Sequence, residues 1–391
     1  MSGLYDFDNV DIEGLRRRGT SKWSRYDPDV LALWVAEMDF PTAPPVHDAL
    51  RDAVEREEFG YPSERSVAAM VEALAGWQDR RYGWEIDPAG VVVLPDVLKG
   101  VELALDAFSP AGSPVVVPTP AYMPFFDVLY AARRPIVEVP AVRDGAVRRL
   151  DLERIAGAFS DGAASLILCN PHNPLGRSYS AGELGALCEV VTAHGARVVS
   201  DEIHGPLTYP GGVHVPYATV SPAAATHSVT LVSASKGWNL PGLRCAQMIL
   251  TSEVDRQRWK AVPSIRSHGV STLGITATTA AYRDGADWLS ELLAYLDSNR
   301  YLLERLVAEM LPAVGYTVPE ATYLAWLDFT STNLGARPAD ALLDSARVAT
   351  NPGALFRGGG EGHVRLNFAT SKAILVSAID RIADGLSSRA V

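Results

Sequence analysis

Between positions 91 and 250 the chain alternates short apolar runs with amphipathic ones, and few folds tolerate that pattern. The runs 91–94, 114–117, 165–169, 197–200, 229–232 and 246–250 are rich in β-branched residues and show little polar alternation. A strand without alternation is buried on both faces, as in a mostly parallel sheet covered by helices. Helical patterns at 97–108 and 181–193 separate several of the runs, as such a sheet requires. In sheets of this kind ligands gather at the carboxyl ends of the strands.

After Gly285 the pattern changes. A long amphipathic helix is expected from Ala286 to about Glu309, then a strand at 323–329, a helix at 338–346, a strand at 364–368 and a closing helix from Ser371. This reads as a smaller α+β domain. The expected division is a large domain, 45–285, and a small domain built from 1–44 and 286–391. Gly358-Gly359-Gly360 reads as a flexible turn, because no helix start follows it to make a phosphate cradle.

The formal net charge is −11 and no long basic run occurs, so neither nucleic acid nor an anionic membrane is expected as a partner. No apolar stretch is long enough to cross a bilayer, and the first 20 residues lack a signal core. Cys169, Cys188 and Cys245 lie far apart in apolar runs and read as reduced core residues. A cytoplasmic enzyme with a small-molecule substrate is the expectation, with no metal site.

The chemistry concentrates where runs end. Ser233-Ala234-Ser235-Lys236 and Arg244 follow the run 229–232. An amine beside two hydroxyls and a guanidinium suits a phosphorylated aldehyde, pyridoxal phosphate, bound as a Schiff base. A solvated loop is the alternative there. Asp201, after the run 197–200, either caps a turn or holds a pyridine nitrogen protonated. Asn173, on a turn with two Asn-Pro steps, and His204 are candidates to face the cofactor's phenolic oxygen. Tyr122 is placed to lie on the ring face or in the core. Val97 and Leu98 open a helix whose free amides can bind phosphate. Arg365, a charge inside a strand-like run, needs a buried partner: a substrate carboxylate or a structural acid.

In order along the chain, Trp34-Val35-Ala36-Glu37-Met38-Asp39-Phe40, Phe59-Gly60-Tyr61, the segments 169–176, 201–204, 235–243 and 323–328, and Arg365-Leu366-Asn367 resemble the motifs of fold-type I pyridoxal-phosphate enzymes. More narrowly they resemble the MalY/PatB group of carbon–sulfur β-lyases within the class I/II aminotransferase superfamily. The resemblance implies a mostly parallel seven-stranded sheet between helices, with a smaller α+β domain beside it. It implies that Lys236 carries the cofactor, with Asp201 at the pyridine nitrogen, Asn173 at the phenolic oxygen and Tyr122 on the ring. Ser233, Ser235, Arg244 and the amides of Val97 and Leu98 would hold the phosphate. Tyr61 would reach the phosphate of a neighbouring subunit in a homodimer with shared sites. Arg365 would bind the substrate carboxylate, with Ala36 in the loop beside it. The implied reaction is α,β-elimination from L-cystathionine or another cysteine S-conjugate. Transamination, or a specialised activity on a sulfur-containing amino acid, uses the same residues and stays open.

Overall fold

Seven strands make the central sheet: β1 (Val91–Leu94), β2 (Val115–Thr119), β3 (Ile136–Pro140), β4 (Ser165–Cys169), β5 (Arg197–Asp201), β6 (Ser228–Val232) and β7 (Ala246–Ile249). The structure is a computed structural model and describes residues 5–145 and 147–387. The strand order is β1-β7-β6-β5-β4-β2-β3. Strand β7 runs antiparallel to both neighbours, and the remaining pairs are parallel. The expected doubly covered sheet is therefore present.

Alternate residues of each strand feed two different cores. Val115 and Val117, Ile167 and Val199 join a cluster with helix α1 (Val97–Phe108). Val116, Leu166, Leu168 and Val198 join another with helix α2 (Ala181–His194). Both faces being apolar is why these strands carry no alternation. Strand β3 was not among the expected runs. It is an edge strand whose Ile136, Val137 and Glu138 are partly exposed or exposed, so it lacks the continuous apolar signature of its neighbours.

Beyond helix α3 (Thr272–Asp284) the long helix α4 (Ala286–Met310) leads into a second sheet. Its strands are β8 (Gly315–Tyr316), β9 (Leu324–Asp328), β10 (Asn351–Pro352) and β11 (His363–Asn367), all antiparallel in the order β8-β9-β11-β10. The closing helix α5 (Lys372–Ser387) packs with α4. Leu31–Ala32 pairs in parallel with Val348–Ala349, which draws the N-terminal segment onto this part of the chain. Trp326 lies opposite Arg365 in the β9–β11 register, so both side chains project from one face of the second sheet.

The glycine triplet forms a turn, but a crowded one. A Cβ on Gly358, whose φ is +50°, would sit 2.1 Å from the Thr119 hydroxyl at the end of β2. Glycine is required there by close approach as well as by backbone conformation.

Candidate active site

The carboxyl ends of β2, β4, β5 and β6 open into a cavity of ≈ 160 Å³. Eleven of the expected residues line it: Ala36, Val97, Leu98, Tyr122, Asn173, Asp201, His204, Ser233, Ser235, Lys236 and Arg244. Arg365 and Tyr61 do not. The cavity also takes in Cys169, Ile203, Pro241 and Cys245, to which sequence reasoning gave no site role. Both cysteines are free and buried, and burial holds their thiols above the usual range, Cys245 at about 11. They act as apolar walls.

Lys236 sits on a single turn of helix, Ala234–Gly237, capped by the Ser233 hydroxyl, which accepts from the Ser235 amide at 3.1 Å. The Ser233 hydroxyl itself donates to the Cys245 carbonyl at 2.7 Å, so its first task is to shape this turn. The Lys236 amine donates to the Ala36 carbonyl at 2.7 Å. Burial and the Arg365 guanidinium lower its pKa to about 8, so a neutral amine is accessible near physiological pH.

Asp201 ends β5 and is buried. One of its oxygens accepts from the Ile203 amide at 3.1 Å, and no cation lies within salt-bridge distance among the described residues. Burial raises its pKa to about 7, with the Glu202 charge adding to the rise. A buried carboxyl with no ion pair among the described residues, which feels the Lys236 charge only at longer range and is aimed into a cavity, fits a cationic ring nitrogen there. His204 is also buried; its Nδ1 has no partner among the described residues, and burial holds the ring neutral.

At the N-terminus of α1, Asp96 caps the helix by accepting from the Lys99 amide at 2.8 Å. The amides of Val97 and Leu98, in the first turn, have no helical carbonyl to bond. Arg244 is largely exposed and its guanidinium pairs with Asp96. The cation is thus present beside the helix N-terminus, already oriented by an acid.

Arg365 lies just outside the cavity and is 2% exposed. It donates to Asn173 Oδ1 at 3.0 Å and to the Trp34 carbonyl at 3.1 Å, and it lies over the Phe356 ring. Its Nε has no partner among the described residues. A structural acid was one of the two expected partners, and none of the described carboxylates pairs with it. Burial lowers its pKa to about 10. With its Oδ1 taken by Arg365, Asn173 keeps its amide N–H groups for the cavity it lines.

The loop 34–38 proves more heavily bonded than its sequence suggests. Trp34 O accepts from Asn351 and Arg365, Val35 O from Asn367, Ala36 O from Lys236 and Tyr323, Glu37 O from Lys22 and Asn367, and Met38 O from Asn239. These donors come from the second sheet and its flank, from the segment that follows β6, and, in Lys22, from the short N-terminal helix Ser21–Ser24. Sequence reasoning missed Asn239, Asn367 and Tyr323 in this role. Asn239 at φ +58° was the most legible, since asparagine is favoured in the left-handed region. Tyr61 is 89% exposed, its ring lies 6.2 Å from the His268 ring, and it does not line its own chain's cavity.

A fold-type I architecture and a lysine–aspartate cavity at its strand ends define a class, and the comparisons agree with it. The chain belongs to the aminotransferase class I and II family, whose model matches residues 28–382. Within that family it is 41% identical to a cystathionine beta-lyase of Corynebacterium glutamicum, over 96% of this chain and 99% of that protein. It is 36% identical to the cystathionine beta-lyase PatB of Bacillus subtilis, over 92% of this chain and 93% of the other. The PLP-bound C-S lyase of Staphylococcus hominis superposes with a TM-score of 0.92 at 26% identity, covering 99% of this chain and 100% of that one.

Proposed function

We propose that the chain is a pyridoxal-phosphate-dependent carbon–sulfur β-lyase. It cleaves L-cystathionine or a related cysteine S-conjugate, with one water, to a thiol, pyruvate and ammonia. The observation that carries the reading is that one cavity brings together a readily deprotonated Lys236 amine and a buried Asp201 carboxyl with no ion pair among the described residues. The near-full-length likeness to cystathionine β-lyases supports elimination over transamination.

Bound pyridoxal phosphate would supply an electron sink for the carbanion formed at the substrate Cα. Lys236 would hold its aldehyde carbon, Asp201 its ring nitrogen, Asn173 and His204 its phenolic oxygen, and Tyr122 its ring face. Its phosphate would take the Val97 and Leu98 amides, the Ser233 and Ser235 hydroxyls and Arg244. Arg365 receives the substrate carboxylate, a fork-shaped donor meeting a fork-shaped acceptor in a desolvated place. The Lys236 amine, once free and neutral, removes the Cα proton. The electron pair left at Cα then expels the thiolate from Cβ.

The same reading treats 45–285 as the large domain, and 1–44 with 286–391 as the small domain that carries Arg365. Exposed Tyr61 is supplied to a second copy's phosphate site, making a homodimer. A cytoplasmic location belongs to this reading too. The three free thiols suit a reducing compartment, and no described helix is long and apolar enough to cross a membrane. The test is pyruvate release from L-cystathionine without an added keto acid. Product formed only with an amino acceptor present would establish transamination instead.

A further inference from the structure

We propose that Tyr323 is a positioning residue for the chemistry at Lys236: its hydroxyl fixes the Ala36 carbonyl, and that carbonyl seats the lysine amine. The inference rests on the functional reading only in taking Lys236 as the group that exchanges the Cα proton.

The geometry is a three-centre arrangement on one oxygen. Ala36 O accepts from Lys236 Nζ at 2.7 Å and from the Tyr323 hydroxyl at 3.0 Å. A carbonyl oxygen has two lone pairs, and both are used. Tyr323 is fully buried and directly precedes β9, so a residue at the edge of the second sheet reaches the acceptor of a lysine carried on the turn after β6 of the first. A lysine amine hangs on a flexible four-carbon stem. Holding it at a fixed point requires an acceptor that does not itself move.

The neighbours of Ala36 are already pinned. Asn367 donates to Val35 O and Glu37 O, both at 2.7 Å, and Asn239 brackets Met38 by bonding its amide and its carbonyl. Ala36 O is the point of the loop that faces the amine, and among the described residues Tyr323 is the side chain other than Lys236 that holds it. A buried phenol needs some acceptor, so a merely structural bond is the rival account. The shared oxygen separates the two accounts. A carbonyl already bonded to a phenol is a weaker acceptor for an ammonium than one with both lone pairs free. Removing the hydroxyl gives Lys236 the whole oxygen and favours its charged form. The other charged or titratable groups around the amine are Arg365 on β11, Asp201 at the end of β5, His204 just after it and Glu37 on the loop. None of them changes in the test.

The test is Tyr323→Phe in the holoenzyme, which deletes one oxygen. At neutral pH kcat is expected to fall about tenfold, the effect of one hydrogen bond, with KM within about twofold of wild type. The acid limb of the kcat–pH profile should move to higher pH. A second readout needs no turnover. Competitive acetylation of Lys236 by acetic anhydride, across pH in the full chain freed of cofactor, should show the same upward shift of its midpoint. A kcat, pH limb and labelling midpoint equal to wild type would overturn the proposal. So would a loss of activity that only tracks a lowered Tm, with the labelling midpoint unmoved. Absence of pyruvate release by the wild-type enzyme would remove the functional reading but leave the labelling comparison intact.

Discussion

Replacing Arg365 by methionine sets stability against function. The guanidinium is buried with no acid paired to it among the described residues, and burial lowers its pKa to about 10. At about 1.4 kcal/mol per unit, the free protein carries roughly 3 kcal/mol of desolvation cost on this charge. Methionine removes that cost and fills the space of the arginine stem. Against this stand the two lost hydrogen bonds, to Asn173 and Trp34, each worth about 1.5–3 kcal/mol at a charged donor. The losses match or somewhat exceed that gain, so Arg365→Met should unfold in urea no more than about 3 kcal/mol below wild type. Catalysis should respond differently. Losing a buried charge pair with the substrate carboxylate costs about 2–5 kcal/mol, or roughly 30-fold to several thousand-fold in kcat/KM, mainly through KM. Pyruvate release measured with lactate dehydrogenase, alongside urea melts, reads both quantities. The reasoning fails if KM is unchanged, or if stability collapses and activity merely follows the folded fraction. Either result would make Arg365 a structural residue.

Lys236→Ala should keep the fold and lose turnover by at least about a thousandfold, the scale of a general base and covalent anchor together; near-wild-type kcat would contradict it. Asp201→Asn should lower kcat at least about a hundredfold yet stabilise the cofactor-free chain above pH 7. The sign follows from the pKa raised from 3.8 to about 7: the folded state holds its proton longer, so burying the carboxylate costs stability as pH rises through that window, and asparagine escapes it. Thermal melts of the cofactor-free variants at pH 5 and pH 8 check this, and a variant no more stable than wild type at pH 8 would refute it. Mixing Tyr61→Ala with Lys236→Ala subunits and letting them re-associate should restore about a quarter of wild-type activity, because half the dimers are hybrids with one intact site. No recovery in verified hybrids would place Tyr61 outside a shared site. The buried pair Lys22–Asp39, at 2.9 Å, anchors the loop that carries Ala36; Lys22→Met should cost about 3–5 kcal/mol in urea unfolding, and a loss under 1 kcal/mol would show the loop is held without it.

The central strands were legible because burial on both faces removes polar alternation, and their carboxyl ends then pointed to Asp201, Asn173 and Lys236. Strand β3 escaped because an edge strand keeps a mixed pattern around Glu138. Arg365 stood out as a charge in an apolar run, but its partners did not: Asn173 and the Trp34 carbonyl lie 192 and 331 positions away. The bonding of the loop 34–38 was hidden for the same reason. Its acceptors are backbone carbonyls, which every residue possesses, and its donors become neighbours only when the two sheets meet. Ser233 shows the limit of reading hydroxyls as phosphate ligands, because much of its bonding shapes the turn that presents Lys236.

The most direct test is reductive trapping. Purified protein saturated with pyridoxal phosphate, treated with borohydride and digested, is predicted to carry the phosphopyridoxyl mass on the peptide containing Lys236. A label on Lys22, Lys99, Lys260 or Lys372 instead, or no label at all, would contradict the account.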